Sequence, residues 1–214
     1  MMQGLFISFE GGDGAGKSTQ IERLASALRY DGYAVVCTRE PGGTELGTKI
    51  RSLLLDGDDV SARAEALLYA ADRAHHVDTL IRPALEEGTI VLTDRYLDSS
   101  LAYQSAGRSL PVDEVRDLSL WATSSLLPHM TFLLDIPASL GAERVGEEKD
   151  RMELAGVDFH EKVCEGFRQL ASVDRERWYV IDAARSIGDI AHDVYAQVKN
   201  YIEHHSFQLK RENA

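Results

Sequence analysis

Residues 11–18 read Gly11-Gly12-Asp13-Gly14-Ala15-Gly16-Lys17-Ser18. A glycine, four free positions and then Gly-Lys-Ser/Thr is the spacing of a loop whose backbone N–H groups surround phosphate groups. An apolar run at 5–9 predicts a strand before this loop, and apolar residues at helical spacing between 21 and 28 predict a helix after it. Strand, glycine loop and helix therefore stand in the order that a nucleotide-binding loop needs, with Lys17 near the outer phosphates and Ser18 near a Mg²⁺ ion.

The rest of the chain alternates between strand-like and helical stretches. Four further runs are typical of strands: 33–37, 89–93, 130–135 and 178–181. Strands separated by helical stretches indicate a parallel sheet covered by helices. We therefore predict an α/β fold with a five-stranded parallel sheet flanked by helices, formed as a single domain over 1–214.

Composition limits the classes of partner. The chain has 214 residues, is 44% hydrophobic and 27% charged, and carries a formal net charge of −12. Such a charge repels nucleic acids and anionic membranes, so we expect neither as a partner. Cys37 and Cys164 lack metal-site spacing, and no signal peptide or membrane-spanning apolar stretch is evident. We expect a cytoplasmic protein.

Two stretches are unusually polar. Charged residues crowd between Gly146 and Gly156, and this stretch, about 146–157, is interpreted as a short mobile lid. A solvated charged loop is an equally good interpretation on composition alone. The polar C-terminal tail, about 203–214, is expected to fray.

The predicted strand at 89–93 is followed by Asp94 and Arg95. The carboxyl edge of a parallel sheet is where α/β proteins bind ligands. Asp94 there is suited to a Mg²⁺ contact and Arg95 to a bidentate grip on phosphate. The alternative for Asp94 is a cap for the next helix.

Other polar residues are candidates for a second ligand. Tyr69 and Arg73 are four residues apart and project from one helical face, where a ring and a guanidinium can hold a base. A core tyrosine beside a surface arginine is the alternative. A second polar helical face comprises Ser99, Ser100, Tyr103 and Gln104. The turn-rich segment 38–44 is predicted to be a loop at the same edge, either binding or structural.

Taken together, these segments resemble the bacterial thymidylate kinases along the whole chain. The resemblance rests on Phe9 to Thr19, Thr38 to Thr44 (Thr-Arg-Glu-Pro-Gly-Gly-Thr), Asp72-Arg73, Asp94-Arg95-Tyr96 with Tyr103, and Asp150 to Glu153 (Asp-Arg-Met-Glu). It implies a phosphate-loop kinase fold with a short lid. It also implies transfer of the γ-phosphate of ATP to dTMP, a need for Mg²⁺, and a homodimer formed through helices near the dTMP site.

The resemblance also implies residue roles. Asp13 would lie near the sugar 3′-hydroxyl, Tyr69 would stack on thymine, Arg73 would bind its O4 edge with help from Ser100, Arg95 and Arg39 would approach the dTMP phosphate, and Tyr103 would exclude a ribose 2′-hydroxyl. The expected substrate contacts are Asp13, Arg39, Pro41, Tyr69, Arg73, Arg95, Ser99, Ser100, Tyr103 and Gln104. The expected ATP contacts are Gly11, Gly12, Asp13, Gly14, Ala15, Gly16, Lys17, Ser18, Thr19 and Arg144, and the expected metal contacts are Ser18 and Asp94.

One difference within the resemblance concerns catalysis. Some thymidylate kinases have an arginine in the phosphate loop where this chain has Gly14. Phosphoryl transfer depends on cations that stabilise the moving charge. We therefore expect a lid arginine to supply it, Arg151 first and Arg144 second, which makes Lys17, Arg95, Arg151 and Asp13 the candidate catalytic residues. A kinase for another monophosphate, or a non-enzymatic ATP-binding regulatory module, remains the alternative.

Overall fold

A computed structural model describes residues 3–56, 59–146 and 151–211. Within these ranges five strands form one parallel sheet in the order β2-β3-β1-β4-β5. The strands are β1 (Phe6–Glu10), β2 (Val35–Arg39), β3 (Ile90–Asp94), β4 (Met130–Asp135) and β5 (Trp178–Asp182). The predicted α/β fold and all five predicted strands are confirmed, with end shifts of at most two residues.

Helices connect these strands. They are α1 (Lys17–Tyr30), α2 (Glu45–Leu55), α3 (Ala62–His76), α4 (Arg82–Glu86), α5 (Leu97–Ser100), α6 (Val112–Ala122), α7 (Ala138–Arg144), α8 (Val157–Val173) and α9 (Ile187–His204). Two π-helical segments, Val77–Ile81 and Leu101–Gly107, extend α3 and α5 without a break. Among the described residues, no helix combines the length and apolar character that crossing a bilayer requires.

Side-chain alternation along β1 explains how the sheet is covered. Ile7 and Phe9 point to one face, where they pack with α1 and α9. Phe6 points to the other face, against the first π-helical segment and α6. Because successive strand side chains point to opposite faces, Glu10 lies on the same face as Phe6, where its side chain is buried. Apolar side chains of the helices thus cover both faces of the sheet.

Strand register brings the polar strand ends together. Phe9 of β1 and Arg39 of β2 both pair with Asp94 of β3. The glycine loop leaves β1 one residue later, and Arg95 follows β3 directly. The residues that follow three neighbouring strands therefore meet at one edge of the sheet.

The C-terminal segment is more ordered than the sequence indicated. Phe207 and Leu209 pack against the core, and the backbone of Lys210 exchanges hydrogen bonds with Ala34 and Gly88. The Arg211 guanidinium lies 3.8 Å from the centre of the Tyr33 ring. The prediction that the tail frays is therefore wrong for 205–211, because apolar and backbone contacts offset its polar composition.

The predicted lid is described only in part. Residues 147–150 lie outside the described residues, so the most charged part of that prediction stays a prediction. Residues 151–156 form turns in which Met152 is buried.

Candidate active site

The glycine loop wraps around the ammonium group of Lys17. Lys17 Nζ donates to the carbonyl oxygens of Gly11, at 3.2 Å, and Gly12, at 2.9 Å. Burial and the positive charge of Arg95 lower the pKa of Lys17, against the opposing effect of Asp94. Gly16, at a φ of 92°, adopts the left-handed conformation that turns the loop into the N-terminus of α1. The loop between β1 and α1 thus holds a buried cation and lines one cavity with it.

Gly14 packs directly against helix α7. It has a φ of 74°, and a Cβ atom built there would collide with the backbone carbonyl of Gly141. Gly141 in turn packs against the backbone of Asp13. An arginine at position 14 does not fit this arrangement, which agrees with the expectation that the catalytic cation comes from elsewhere.

Ser18 and Asp94 meet beside the loop. The Ser18 hydroxyl donates to Asp94 Oδ2 at 2.8 Å. A hydroxyl and a carboxylate are hard oxygen ligands of the kind Mg²⁺ accepts, together with water and substrate phosphate oxygens. The described residues contain no group of three or more acidic, histidine or cysteine side chains positioned for a metal. The pair therefore fits an ion shared with a nucleotide better than an ion held by protein alone.

Arg95 is held in a strained backbone conformation. Its φ of 68° is in the left-handed region, which is costly for a residue with a side chain. Three hydrogen bonds fix its two peptide groups: Arg95 N–H to Phe9 O at 2.9 Å, Thr93 Oγ1 to Arg95 O at 2.8 Å, and Tyr96 N–H to Glu10 Oε1 at 2.8 Å. The surrounding structure thus aims the guanidinium at the glycine loop.

The Arg95 side chain gathers the polar groups of the loop. It donates to Gly11 O at 3.0 Å, to Ser99 Oγ at 3.2 Å and to the Tyr103 hydroxyl at 3.0 Å, and it pairs closely with Asp13. Burial alone would raise the pKa of Asp13, but Arg95 and Lys17 together lower it. The Tyr103 hydroxyl completes the group by donating to Asp13 Oδ2 at 3.1 Å.

Glu10 is a site residue that sequence reasoning missed. Its carboxyl is buried, accepts from Tyr96 N–H and lies 2.6 Å from Ser99 Oγ. Burial and the Asp98 carboxylate raise the pKa of Glu10 to about 8. Its place at the last position of β1, directly before the glycine loop, was the available signal. It links the glycine loop to the segment that carries Arg95.

At the other end of the site, Arg73 is fully buried. Its Nε donates to Glu40 Oε2 at 2.7 Å, and Nη2 donates to Ser100 Oγ at 3.1 Å and to Tyr96 O at 3.3 Å. His76 Nδ1 lies 3.0 Å from the other oxygen of Glu40. Glu40 thus ties the loop after β2 to α3, a role that the sequence did not indicate. A surface position for Arg73, the alternative in the sequence, is excluded.

These residues surround a cavity of about 720 Å³. Most of the predicted site residues line it: Asp13, Gly14, Ala15, Gly16, Lys17, Ser18, Thr19, Arg39, Pro41, Tyr69, Asp94, Arg95, Ser99, Ser100, Tyr103, Gln104 and Arg144. Gly11, Gly12, Arg73 and Arg151 stand behind this lining. The lining that was missed comprises Gln20, Arg51, Leu55, Met152, Glu153, Ala183, Arg185, Ile187 and Ile190. Several of these follow β5, whose predicted carboxyl end was the signal that could have found them.

The two candidate lid arginines lie apart. Arg144 lines the cavity and donates to Ala183 O at 3.0 Å. Arg151 instead donates to Glu65 Oε2 at 2.6 Å and to Leu54 O at 2.8 Å. The preference for Arg151 as the catalytic cation therefore stays a prediction that requires its guanidinium to leave Glu65.

Asp72, beside Arg73, gives a prediction about stability. It is buried, its Oδ1 accepts from Gly42 N–H at 3.3 Å, and its Oδ2 has no hydrogen-bond partner among the described residues. Burial and the Glu40 carboxylate raise the pKa of Asp72 from 3.8 to about 6. The native state therefore holds this proton more tightly than the unfolded state does, and folding loses stability as pH rises through that interval.

Asp72→Asn, which cannot ionise, should avoid this loss. Relative to the wild type, its free energy of unfolding should rise by about 2 kcal/mol between pH 4 and pH 7. Urea denaturation of both proteins across this range measures the difference. A difference that does not vary with pH would show that Asp72 is not a source of the pH dependence.

Comparison with known proteins identifies close relatives. A profile described as thymidylate kinase matches residues 9–194. The thymidylate kinase of Bifidobacterium longum subsp. infantis is 52% identical over 206 residues, covering 94% of this chain and 88% of that protein. Those of Clavibacter michiganensis subsp. michiganensis, 53% identical over 89% of this chain and 92% of that protein, and Halothermothrix orenii, 49% identical over 92% of this chain and 98% of that protein, are similar as well.

Proposed function

This chain belongs to the thymidylate kinase family and transfers the γ-phosphate of ATP to dTMP, giving dTDP and ADP; from that premise we propose how its residues divide the work. The observation that carries the proposal is one cavity lined by the glycine loop, by side chains that follow β3 and by side chains that follow β5. One end takes ATP and the other takes dTMP.

ATP occupies the end beyond Lys17. The backbone N–H groups of the glycine loop and the N-terminus of α1 bind its phosphates, since both present partial positive charge. The apolar wall of Ile187 and Ile190, with Ala183 and Arg144, receives the adenine. The aliphatic chains and the guanidinium plane are suited to the faces of a flat base.

The dTMP base occupies the end lined by Tyr69, Ser100 and Gln104. Tyr69 provides a ring for stacking, and Arg73 stands directly behind Ser100, with Nε donating to Glu40 and Nη2 donating to Ser100. A donor-only guanidinium fits the carbonyl oxygen at position 4 of thymine. Buried polar groups of this kind discriminate strongly against bases that leave them unpaired.

The phosphates meet between Arg95, Arg39 and Lys17. An oxygen of the dTMP phosphate forms a bond to the γ-phosphorus while the bond to the oxygen bridging the β- and γ-phosphates breaks, and ADP leaves with that electron pair. The attacking oxygen is already anionic at neutral pH, so no strong base is required. Alignment and charge stabilisation are the tasks left to the protein. Asp13 keeps Arg95 in place through a close ion pair.

A Mg²⁺ ion fits beside Ser18 and Asp94. When bound, it neutralises charge on the β- and γ-phosphates of ATP. The Ser18 hydroxyl and the Asp94 carboxylate, 2.8 Å apart, are the protein oxygens that would hold it.

A coupled assay of ADP release across a panel of nucleoside monophosphates tests the assignment. With ATP and Mg²⁺, dTMP should give the highest kcat/KM, and dCMP, dGMP and AMP should be poor acceptors. Highest activity with another monophosphate, or no turnover with any of them, would overturn the proposed substrate.

Tyr103 provides a test of sugar selection. Its ring is buried against Phe159 and Phe167, so we propose that the ring excludes a ribose 2′-hydroxyl by bulk. Tyr103→Phe should keep the preference for dTMP over its ribose counterpart. Its turnover should fall about tenfold because the hydrogen bonds of the hydroxyl with Asp13 and Arg95 are lost. Tyr103→Ala should relax the preference. Loss of the preference in Tyr103→Phe would show that the hydroxyl, rather than the bulk, selects the sugar.

We also propose a homodimer formed through α2, α3 and α6. These helices pack side by side, since α3 contacts both of the others. Their exposed apolar side chains include Leu53 and Leu67, each 57% exposed, and Trp121, 80% exposed. Exposed apolar side chains on neighbouring helices are typical of a protein interface. Leu67→Asp should give monomers by analytical ultracentrifugation, whereas Tyr30→Asp, at a site on α1 that is 93% exposed, should leave the dimer intact.

The cytoplasm remains the proposed compartment. Support comes from the two free cysteines, Cys37 and Cys164, because reduced thiols are typical of that compartment.

A further inference from the structure

Glu65 of α3 is a fully buried carboxylate outside the cavity lining. Its oxygens accept from three side chains that are distant in sequence. Oε1 accepts from Gln104 Nε2 at 3.1 Å and Arg108 Nε at 3.3 Å, and Oε2 accepts from Arg151 Nη2 at 2.6 Å and Arg108 Nη2 at 3.4 Å. The two guanidinium groups provide the compensating charge that a buried carboxylate requires. The amide of Gln104 is its one neutral partner among the described residues.

This arrangement fixes which way the Gln104 amide points. A carboxylate paired with two guanidinium groups accepts hydrogen bonds and has none to donate. The amide can therefore approach Glu65 only with its nitrogen, whereas an unconstrained glutamine amide turns over freely. Gln104 lines the same cavity as Ser100, and with the amide nitrogen held on Glu65 the carbonyl oxygen is the acceptor that its side chain offers to a ligand.

The direction of this amide matters for the choice of pyrimidine. Thymine carries a hydrogen on ring nitrogen 3 and donates from that position, whereas cytosine has a lone pair there and accepts. A carbonyl oxygen at the base end pairs with thymine and repels cytosine, and a reversed amide would do the opposite. The preference arises as much from the cost of leaving the carbonyl oxygen unpaired opposite cytosine as from its hydrogen bond with thymine.

We propose that Glu65 is a specificity-positioning residue that holds the Gln104 amide with its oxygen toward the base, and thereby favours thymine over cytosine. The inference rests on the proposed placement of the dTMP base at the end of the cavity lined by Tyr69 and Gln104. Glu65 itself does not touch the substrate. Arg73 contributes to the same discrimination independently, through the position 4 substituent.

Glu65→Gln is the substitution that tests this role. A glutamine at position 65 can donate or accept, so Gln104 can bind it in either orientation. The ratio of kcat/KM for dTMP to kcat/KM for dCMP should fall about tenfold, the value of one neutral hydrogen bond. Any effect of the released Arg151 on phosphate chemistry is common to both substrates and cancels in this ratio.

Arg108→Gln is the matched control. It removes a charged partner from the same carboxylate and leaves Glu65 an acceptor, so the ratio should stay at the wild-type value. A folded Glu65→Gln protein with the wild-type ratio would overturn the inference. Failure of the wild type to use dTMP at all would instead overturn the proposed function, so the two failures are distinguishable.

A measurement on the wild type covers the case in which Glu65→Gln does not fold. In ¹⁵N-labelled protein, the Gln104 side-chain amide, identified by its loss in Gln104→Leu, should exchange its hydrogens slowly both before and after dTMP is added. Rapid exchange of both amide hydrogens would mean that Glu65 does not hold the group, and would overturn the inference.

Discussion

Lys17→Ala should fold and lose about two to four orders of magnitude in turnover, on the order of 3–5 kcal/mol of transition-state stabilisation. Lys17 is a buried cation beside the glycine loop, and among the described residues its ammonium donates hydrogen bonds only to the backbone carbonyl oxygens of Gly11 and Gly12. Those carbonyls can turn to water in the variant, so folding does not depend on the ammonium. In the variant, no ammonium group stabilises the negative charge that develops on the transferring phosphate.

Steady-state kinetics with saturating ATP and dTMP, beside a thermal melt, measures this effect. Gln20→Ala is a suitable control because Gln20 lines the same cavity and its side-chain amide donates to Ile187 O at 3.2 Å, away from the glycine-loop carbonyls. It should change the KM for ATP more than kcat. A folded Lys17→Ala protein with near wild-type kcat would remove the glycine loop from the catalytic machinery.

Local sequence patterns were sufficient for the fold and for much of the site. The spacing of residues 11–18 and the apolar strand at 5–9 are short-range signals, and the structure contains the predicted strand, loop and helix. Asp94 and Arg95 were found because any residue that follows a parallel strand lies at the carboxyl edge. The same rule would have found Glu10 and the residues after β5, had it been applied to every strand.

Buried ion pairs between distant residues could not be predicted from the sequence. Glu40 pairs with Arg73 and Glu65 with Arg151, across separations of 33 and 86 residues. Charged residues are predicted to be exposed unless a partner compensates their charge. Composition does not indicate which distant residue is that partner. The C-terminal tail was misjudged for a related reason, since its contacts with Gly88 and Ala34 depend on the completed sheet.

The second large effect is expected from Arg151, which must move before it can act in catalysis. Gly14 leaves the glycine loop without an arginine, and Arg151 donates to Glu65 and stands behind the cavity lining. Glu65 would keep Arg108 and Gln104 if Arg151 moved, so its buried charge would not be left alone. Movement of the segment at 151–156 over the bound substrates can therefore deliver Arg151 at moderate cost, as in lids that complete an active site on closure.

Arg151→Ala should accordingly lower kcat by about two orders of magnitude or more while leaving the Kd for dTMP nearly unchanged, because the contact forms only toward the transition state. Arg144→Ala is the control. Arg144 lines the cavity wall with Ala183, so its loss should raise the KM for ATP more than it lowers kcat. Rapid-quench turnover and calorimetry of dTMP binding separate these two patterns.

Hydrogen exchange decides whether Arg151 moves at all. If the lid closes, amide exchange at 151–156 should slow when dTMP and a non-hydrolysable ATP analogue are both bound. The Glu65→Gln protein should close more readily because Arg151 has lost its ion pair. Should Arg144→Ala be the crippled variant and Arg151→Ala nearly normal, the cavity-wall arginine supplies the charge and Arg151 serves only to hold the turn against α3. Normal turnover in the double variant would exclude both arginines, leaving Lys17, Arg39 and Arg95 as the cations on which transfer depends.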